Sequence, residues 1–428
     1  MRLIDYRQKN FTQVIDSICT RELYDYSIEK SVQGILDEVR KDGDKALLKF
    51  ALAFDKFKLK SAAGFRVVGE IDEKQIAPEL KKALKDALRN VKQFAAHGHP
   101  KDWCSKNSHG GFVGEKFFPY DRVGVYIPGG TAPLVSTCLM TITLAKEAGV
   151  KEIVVCSPAG RDGKLHTALQ YAAELAGATE IYMVGGAQAI AAMAFGTKTI
   201  KPVQKIVGPG NAYVTTAKRL LYGYVDLDMV AGPSEVVILS DRSADPKHIA
   251  IDLLAQIEHG SGHERAFLVT TSKLTALCAM LELCKFSESH SRREFTKKAM
   301  KKNVYFIVVP DMQEGITIVN RLAPEHLEVQ AKNPNGIALK ITRAGAIFIG
   351  KYTPEAVGDY VAGPSHVLPT GGSAASFSGL TVSGFYRRTS FVEYNKESLR
   401  KSAASIQAIA MAEGLEAHAD SARIRLSN

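Results

Sequence analysis

Glu325 and His326 stand side by side behind a proline, in the run Arg321-Leu-Ala-Pro-Glu-His-Leu-Glu328. A carboxyl and an imidazole on a short irregular stretch can face one cavity. Such a pair can move protons at neutral pH, one member as a base for water and the other as a shuttle. The triplet taken alone also fits a helix start, because proline is favoured at the first helical position.

A second group has metal-ligand chemistry. Gln256 and His259 lie at i and i+3 in a helical stretch and share a face. Asp359 follows a glycine in Val357-Gly-Asp-Tyr360, and His418 sits near the C-terminus. Two imidazoles, a carboxylate and an amide oxygen suit a zinc-like ion. Spacing does not assemble residues so far apart, and an interfacial histidine beside a solvent glutamine is the competing reading. A further run, Gly358-Asp-Tyr-Val-Ala-Gly-Pro-Ser-His-Val-Leu-Pro-Thr-Gly-Gly372, mixes an aspartate and a histidine with turn residues. Loops of that kind line sites, or simply cover a surface.

The third group is backbone chemistry. Pro128-Gly-Gly130, Gly185-Gly-Ala-Gln188 and Gly208-Pro-Gly-Asn211 each follow a β-branched run. Glycine lets a main chain approach a phosphate or sugar, and strand ends are where open α/β sheets bind ligands. None is a G-x-G-x-x-G leading directly into a helix, so the standard dinucleotide fingerprint is absent.

The elements that must position these residues alternate. Residues about 1–115 read as mostly helical, with apolar spacing of three and four over 27–54 and 79–96. Buried-strand runs follow at 123–127, 153–156, 181–184, 205–207 and 236–239, then at 266–270, 304–309 and 346–349. Helical stretches separate them at 137–148, 166–176, 250–259 and 274–284, and a helical tail covers 398–418. This pattern predicts α/β architecture with parallel sheets in two similar open units, about 123–235 and 236–376, the latter recruiting the N-terminal helices.

Composition narrows the class. At 428 residues the chain exceeds one typical core. Hydrophobic residues make up 46% and charged residues 23%, ordinary for a soluble globular protein. No apolar run is long enough to span a bilayer, and the N-terminus lacks a signal-peptide core, so the expected location is the cytoplasm. The net charge of +10 comes from clusters such as Lys297-Lys298 and Lys301-Lys302, which read as solvated helix faces rather than a nucleic-acid surface. The six cysteines form no C-x-x-C pair. Cys138 has no thiolate activator beside it and is not expected to be a nucleophile.

Together the runs carry a resemblance. Tyr126-Ile-Pro-Gly-Gly-Thr-Ala-Pro-Leu134, Val184-Gly-Gly-Ala-Gln-Ala-Ile190 and Val207-Gly-Pro-Gly-Asn211 occur in order with Ala231-Gly-Pro-Ser-Glu-Val236 and Asp252-Leu-Leu-Ala-Gln-Ile-Glu-His259. The Ala323-Pro-Glu-His-Leu-Glu328 run, the 358–372 run and Glu413-Gly-Leu-Glu-Ala-His418 complete the set. The sequence resembles the histidinol dehydrogenase family from about residue 120 to the C-terminus.

The resemblance implies a zinc- and NAD-dependent four-electron oxidation of L-histidinol to L-histidine through the aldehyde. It makes Gln256, His259, Asp359 and His418 the zinc ligands, and Glu325 and His326 the acid/base pair. Ser234, His366 and Glu413 become substrate contacts beside His326 and the metal ligands. Tyr126, Gln188 and Asn211 become NAD contacts. It also implies a homodimer in which the C-terminal segment reaches the partner's site.

On that basis residues 1–24 are an N-terminal helical extension. Residues 25–122 with 236–376 form a first α/β domain carrying the metal and acid/base site. Residues 123–235 form the NAD-binding domain, and 377–428 the segment that reaches the partner. Two departures from the family pattern border the pocket: Gly260-Ser-Gly-His-Glu-Arg265, and Ala374-Ala-Ser-Phe377, which lacks an arginine. They keep open a related zinc- and NAD-dependent dehydrogenase of another small polar alcohol, such as a sulfonated diol.

Overall fold

Fourteen strands can be followed in the computed structural model, which describes residues 1–427 apart from 21–25, 70, 130–132, 161, 231 and 261. Gly130, Thr131 and Ala132 of the first glycine-rich turn, Ala231, and Ser261 of the 260–265 stretch therefore lie outside the described residues. In chain order the strands are β1 (Arg2–Asp5), β2 (Trp103–Lys106), β3 (Phe112–Pro119), β4 (Arg122–Tyr126) and β5 (Glu152–Cys156). Then come β6 (Glu180–Tyr182), β7 (Lys205–Val207), β8 (Asp226–Leu227), β9 (Glu235–Ser240) and β10 (Arg265–Thr270). The last are β11 (Val304–Val308), β12 (His326–Gln330), β13 (Ala346–Ile349) and β14 (Tyr386–Glu393).

Two parallel sheets form the body of the molecule. One has six strands in the order β1-β11-β10-β9-β12-β13, the other five in the order β6-β5-β4-β7-β8. Their central strands are apolar on both faces because helices cover both sides; β4 and β9 are buried throughout. The α/β reading with two open parallel sheets therefore describes the fold. Among the described residues no helix is long and apolar enough to cross a membrane.

Three features depart from the expected elements. Arg2–Asp5 is a strand that pairs with β11, too short to show a period of its own. β2, β3 and β14 build a small antiparallel sheet: β2 and the start of β3 lie in the stretch expected to be helical, and β14 lies ahead of the helical tail, where no strand is expected. Exposure on both sides of β14 leaves it without the alternation that marks a half-buried strand. Finally, helices Glu29–Asp42, Asp44–Phe54 and Pro78–Ala95 pack on the five-stranded sheet rather than the six-stranded one. Val32, Leu36, Leu47 and Phe50 share a core with Ile190 and Met193, while Leu84 and Val91 meet Leu139 and Ile142. An amphipathic face declares that it will be buried, not against which sheet.

The 361–366 segment fastens the two sheet units together. The Asn90 side-chain amide donates to the Val361 carbonyl at 2.7 Å, and the Ser365 hydroxyl donates to the Met140 carbonyl at 2.9 Å. Thr137 Oγ1 lies 3.2 Å from His366 Nε2. Asn90 sits on helix Pro78–Ala95, and Thr137 and Met140 on helix Val135–Glu147, which pack together on the five-stranded sheet.

Candidate functional site

Helix Met312–Leu322 ends at Ala323, whose φ of +46° is left-handed, and Pro324 prevents its continuation. The proline therefore follows one helix rather than opening another. Ala323 is fully buried, so the strained turn is held by packing, a feature that clusters at active sites. Glu325 leaves this turn and His326 opens β12, opposite Val236 of β9. Both side chains are sealed from solvent.

His-Leu-Glu-Val-Gln alternates strictly, which places His326, Glu328 and Gln330 on one face of β12. That face meets the short helix Glu355–Tyr360. His326 Nδ1 lies 3.2 Å from Glu355 Oε1, and Nε2 lies 3.6 Å from Asp359 Oδ1. Neither ring nitrogen has an aligned hydrogen-bond partner. Burial, reinforced by His259 and His366, pushes His326 down to about 3, so the ring is neutral and has one lone pair.

The carboxyls move the other way. Burial drives Glu325 well above the usual carboxylate range, aided by Asp359 and Glu235. The Glu235 N–H, which donates to Glu325 Oε2 at 3.1 Å, and the Ser234 hydroxyl partly offset this. Burial raises Asp359 to about 7, and raises Glu328 and Glu355 well above their ordinary values. Glu328 Oε1 accepts the Glu355 N–H at 2.8 Å. The Gln330 amide nitrogen bridges Glu328 Oε2 at 2.7 Å and Asp252 Oδ2 at 2.9 Å. A neutral imidazole beside carboxyls of raised proton affinity is equipped for proton transfer. Sequence reasoning missed Glu355, Glu328 and Asp252, although the strand alternation and the i, i+4 spacing of Glu355 and Asp359 were available signals.

The metal question turns on Gln256. It lies in the last turn of helix Pro246–Ile257, is fully buried, and among the described residues neither its amide oxygen nor its nitrogen has a partner. Buried amides are normally satisfied, so this one calls for a further group. His259 lies two residues past the helix end, where burial keeps its ring below the usual histidine value and thus neutral. The helix C-terminus carries partial negative charge that favours a cation. A neutral imidazole, a carboxylate and an orphaned amide oxygen fit zinc. Among the described residues, His326, Glu355 and Asp359 form a group of His and carboxylate donors with ligand atoms within 4.8 Å of one another. It shares only Asp359 with the set expected from sequence.

The remaining residues divide by location. Ser234 immediately precedes β9, beside Glu325. His366 Nδ1 lies 3.1 Å from the Asp359 carbonyl oxygen, and burial lowers its pKa to about 4. Glu413 and His418 are exposed on the C-terminal helix pair Lys396–Ala412 and Glu416–Leu426. The single chain gathers His259, His326, Asp359 and His366 but leaves these two on its surface.

The cofactor candidates occupy the other sheet. Tyr126 ends β4, Gln188 lies in the first turn of helix Gly186–Phe195, and Asn211 caps helix Ala212–Leu221 through Val214 N–H. The Tyr126 ring is buried in the core and its hydroxyl accepts the Gly186 N–H at 3.0 Å, so Tyr126 offers the mouth its backbone. Burial raises the Cys138 thiol far above its ordinary value, so it stays protonated.

These candidates lie at the C-terminal ends of the five parallel strands, with helix N-termini that suit a pyrophosphate. Glu325, His326 and Ser234 lie at the N-terminal ends of the six-stranded sheet.

Comparison with known proteins agrees with this geometry. The histidinol dehydrogenase family profile matches residues 20–426. The chain is 44% identical over 416 residues to a histidinol dehydrogenase of Synechococcus sp., covering 96% of this chain and 95% of that protein. It is likewise 44% identical over 393 residues to that of Bacillus licheniformis, covering 91% of each. The crystal structure of histidinol dehydrogenase from Elizabethkingia anophelis superposes with a TM-score of 0.92 at 33% identity, covering 100% of this chain and 98% of that one. With matches spanning nearly its whole length, the chain belongs to the histidinol dehydrogenase family.

Proposed function

We propose that the chain oxidises L-histidinol to L-histidine through L-histidinaldehyde, the closing step of histidine biosynthesis, with zinc and NAD. The observation that carries this reading is the sealed Glu325–His326 pair, with a neutral imidazole and a carboxyl of raised proton affinity. Gln256, His259 and Asp359 of one chain, with His418 of a second copy, would hold the metal. When bound, zinc would hold the amino alcohol by its nitrogen atoms, and NAD would accept hydride.

Glu355, whose Oε1 lies 3.2 Å from His326 Nδ1, would hold the ring in place, and Nε2 would take the hydroxyl proton as hydride leaves the alcohol carbon. Glu325 then removes a proton from water as the oxygen adds to the aldehyde carbon. A carboxylate of raised pKa is the stronger base for that step. The protonated His326 Nε2 returns its proton to the carbonyl oxygen as water adds, giving the gem-diol, and then takes a diol hydroxyl proton as the second hydride leaves, giving the acid. Ser234, His366 and Glu413 would contact the substrate, and the mouth formed by Tyr126, Gln188 and Asn211 would hold NAD.

The exposed Ile409, Met411, Leu415 and Ile424 of the C-terminal helices support a homodimer that exchanges this segment. The relatives named above favour histidinol over another small alcohol. Turnover of L-histidinol by zinc-loaded protein tests the reading. About two NADH should form per histidinol consumed, as two hydride steps require. One NADH, with aldehyde accumulating, would overturn it.

A further inference from the structure

We propose that the buried Lys218–Asp228 ion pair is a positioning element for the dinucleotide, because it sets the course of the 208–211 turn. This rests on the reading of that turn as a cofactor contact. The two side chains are 3% and 1% exposed. Lys218 lies in the last turn of helix Ala212–Leu221, and Asp228 follows β8. Lys218 Nζ pairs with Asp228 Oδ1 and donates to the Gly208 carbonyl at 3.0 Å. Asp228 Oδ2 accepts the Gly208 N–H at 2.7 Å, and Oδ1 accepts the Met229 N–H at 2.7 Å. Both polar groups of one glycine are therefore held by one ion pair.

The place is where a ligand should sit. β4 and β7 are neighbours at the point where the strand order reverses, the switch point of an open α/β sheet. Gly208 there has φ of +109°, and a Cβ would fall 2.1 Å from the Tyr126 carbonyl oxygen, so only glycine fits. The turn runs on into Asn211, whose Oδ1 is committed to the Val214 N–H at 3.1 Å. Asn211 itself is exposed and stands at a helix N-terminus, which favours anions.

Stability alone does not account for the pair. Apolar side chains of similar volume often hold a fold as well as a buried ion pair does. They cannot donate to the C=O and accept from the N–H of the same residue. That double grip fixes the orientation of the Gly208 peptide and the direction in which Pro209, Gly210 and Asn211 leave it.

The test uses zinc-loaded full-length protein carrying Asp228→Asn, and a second variant, Lys218→Met with Asp228→Asn, which leaves no unpaired buried charge. NAD binding is measured by calorimetry, alongside KM for NAD, KM for histidinol and zinc content. The double variant should bind NAD about tenfold more weakly or worse, the scale on which misplaced contacts act. Histidinol KM and zinc content should stay within about twofold. Unchanged NAD affinity in a folded double variant overturns the proposal. Failure of both variants to fold also overturns it, by assigning the pair to folding alone. Asn211→Asp, which keeps a cap oxygen, separates the two readings. If it weakens NAD while the double variant does not, only the positioning role fails. If neither weakens NAD, the turn is not a cofactor contact and both readings fall.

Discussion

His326 Nδ1 and Glu355 Oε1 stand 3.2 Å apart, and each side chain is 5% exposed. The two residues are 29 positions apart and meet because β12 and the short helix Glu355–Tyr360 face each other. A carboxyl beside one ring nitrogen restrains the orientation of the ring. On the proposed mechanism Glu355 would act through His326.

Glu355→Gln keeps the size of the side chain but lets its nitrogen face Nδ1. Loss of that placement of the ring should lower kcat for both oxidation steps by about 10²-fold, within the usual range for general acid–base contributions. KM for NAD should not move. Stopped-flow turnover of histidinol and of histidinaldehyde reads both steps, and loss confined to one would contradict the assignment.

Glu325→Gln, by contrast, should separate the two steps. Removal of the base for water should slow aldehyde oxidation at least about 10²-fold more than alcohol oxidation. Histidinaldehyde, trapped with a carbonyl reagent, should accumulate. Equal losses in both steps would remove Glu325 from water activation.

The exposed position of His418 makes exchange between subunits testable by mixing. His259→Asn and His418→Asn should each abolish activity and zinc binding. Co-expressed, random pairing makes half the dimers mixed, and with exchange each mixed dimer has one intact site. About a quarter of parental activity should return. With no exchange every site is broken and nothing returns.

The unpartnered Gln256 amide predicts an effect of opposite sign with and without metal. Gln256→Met replaces an unsatisfied buried polar group with an apolar one of similar shape. Tm of the zinc-free protein should hold or rise. The increment in Tm produced by zinc should shrink, since ligand-linked stabilisation follows affinity. Calorimetry with and without a chelator reads both, and an unchanged zinc increment would exclude Gln256 from the ligand set.

Arg122, almost buried, lies 2.7 Å from Glu180 and 2.6 Å from Glu152. The guanidinium holds Glu180 down to about 2 against the opposing effect of burial. A carboxylate whose folded pKa is depressed stabilises the fold above its unfolded pKa, and that contribution is lost as pH falls toward the folded value. Glu180→Gln should therefore cost stability at pH 7, about 1–3 kcal/mol. The cost should shrink as pH falls from about 4.5 toward 2. Urea midpoints for parent and variant at a series of pH values test this. A gap that is independent of pH would mean the charge is not what stabilises.

Much of the site was written locally. The Glu325–His326 pair, the three glycine turns and the i, i+3 spacing of Gln256 and His259 are short-range patterns, and the strands between them are apolar because both faces are covered. The losses have physical reasons. His-Leu-Glu-Val-Gln alternates as a strand should, but its polar face turns inward toward Glu355 and Asp252, so polarity no longer signals exposure. The partner of an amphipathic helix is a long-range property, as Leu47 packing near Met193 shows. Glu413 and His418 complete nothing within one chain, so only the resemblance gave them a place.

The fasteners at 361–366 have a kinetic consequence. NAD would rest on one sheet and the substrate on the other, so the hydride must cross the seam where Asn90 grips Val361 and Ser365 grips Met140. A tilt of one sheet against the other changes the donor–acceptor distance directly, and barrier heights respond steeply to misplacement on the 1 Å scale. Loosening the seam should leave both ligands bound yet broaden the distribution of hydride distances. Its signature would be a primary deuterium isotope effect that becomes more temperature-dependent in Asn90→Ala. On that reading the stiffness of four hydrogen-bonding side chains, Asn90, Thr137, Ser365 and His366, would join acid–base chemistry in setting the rate.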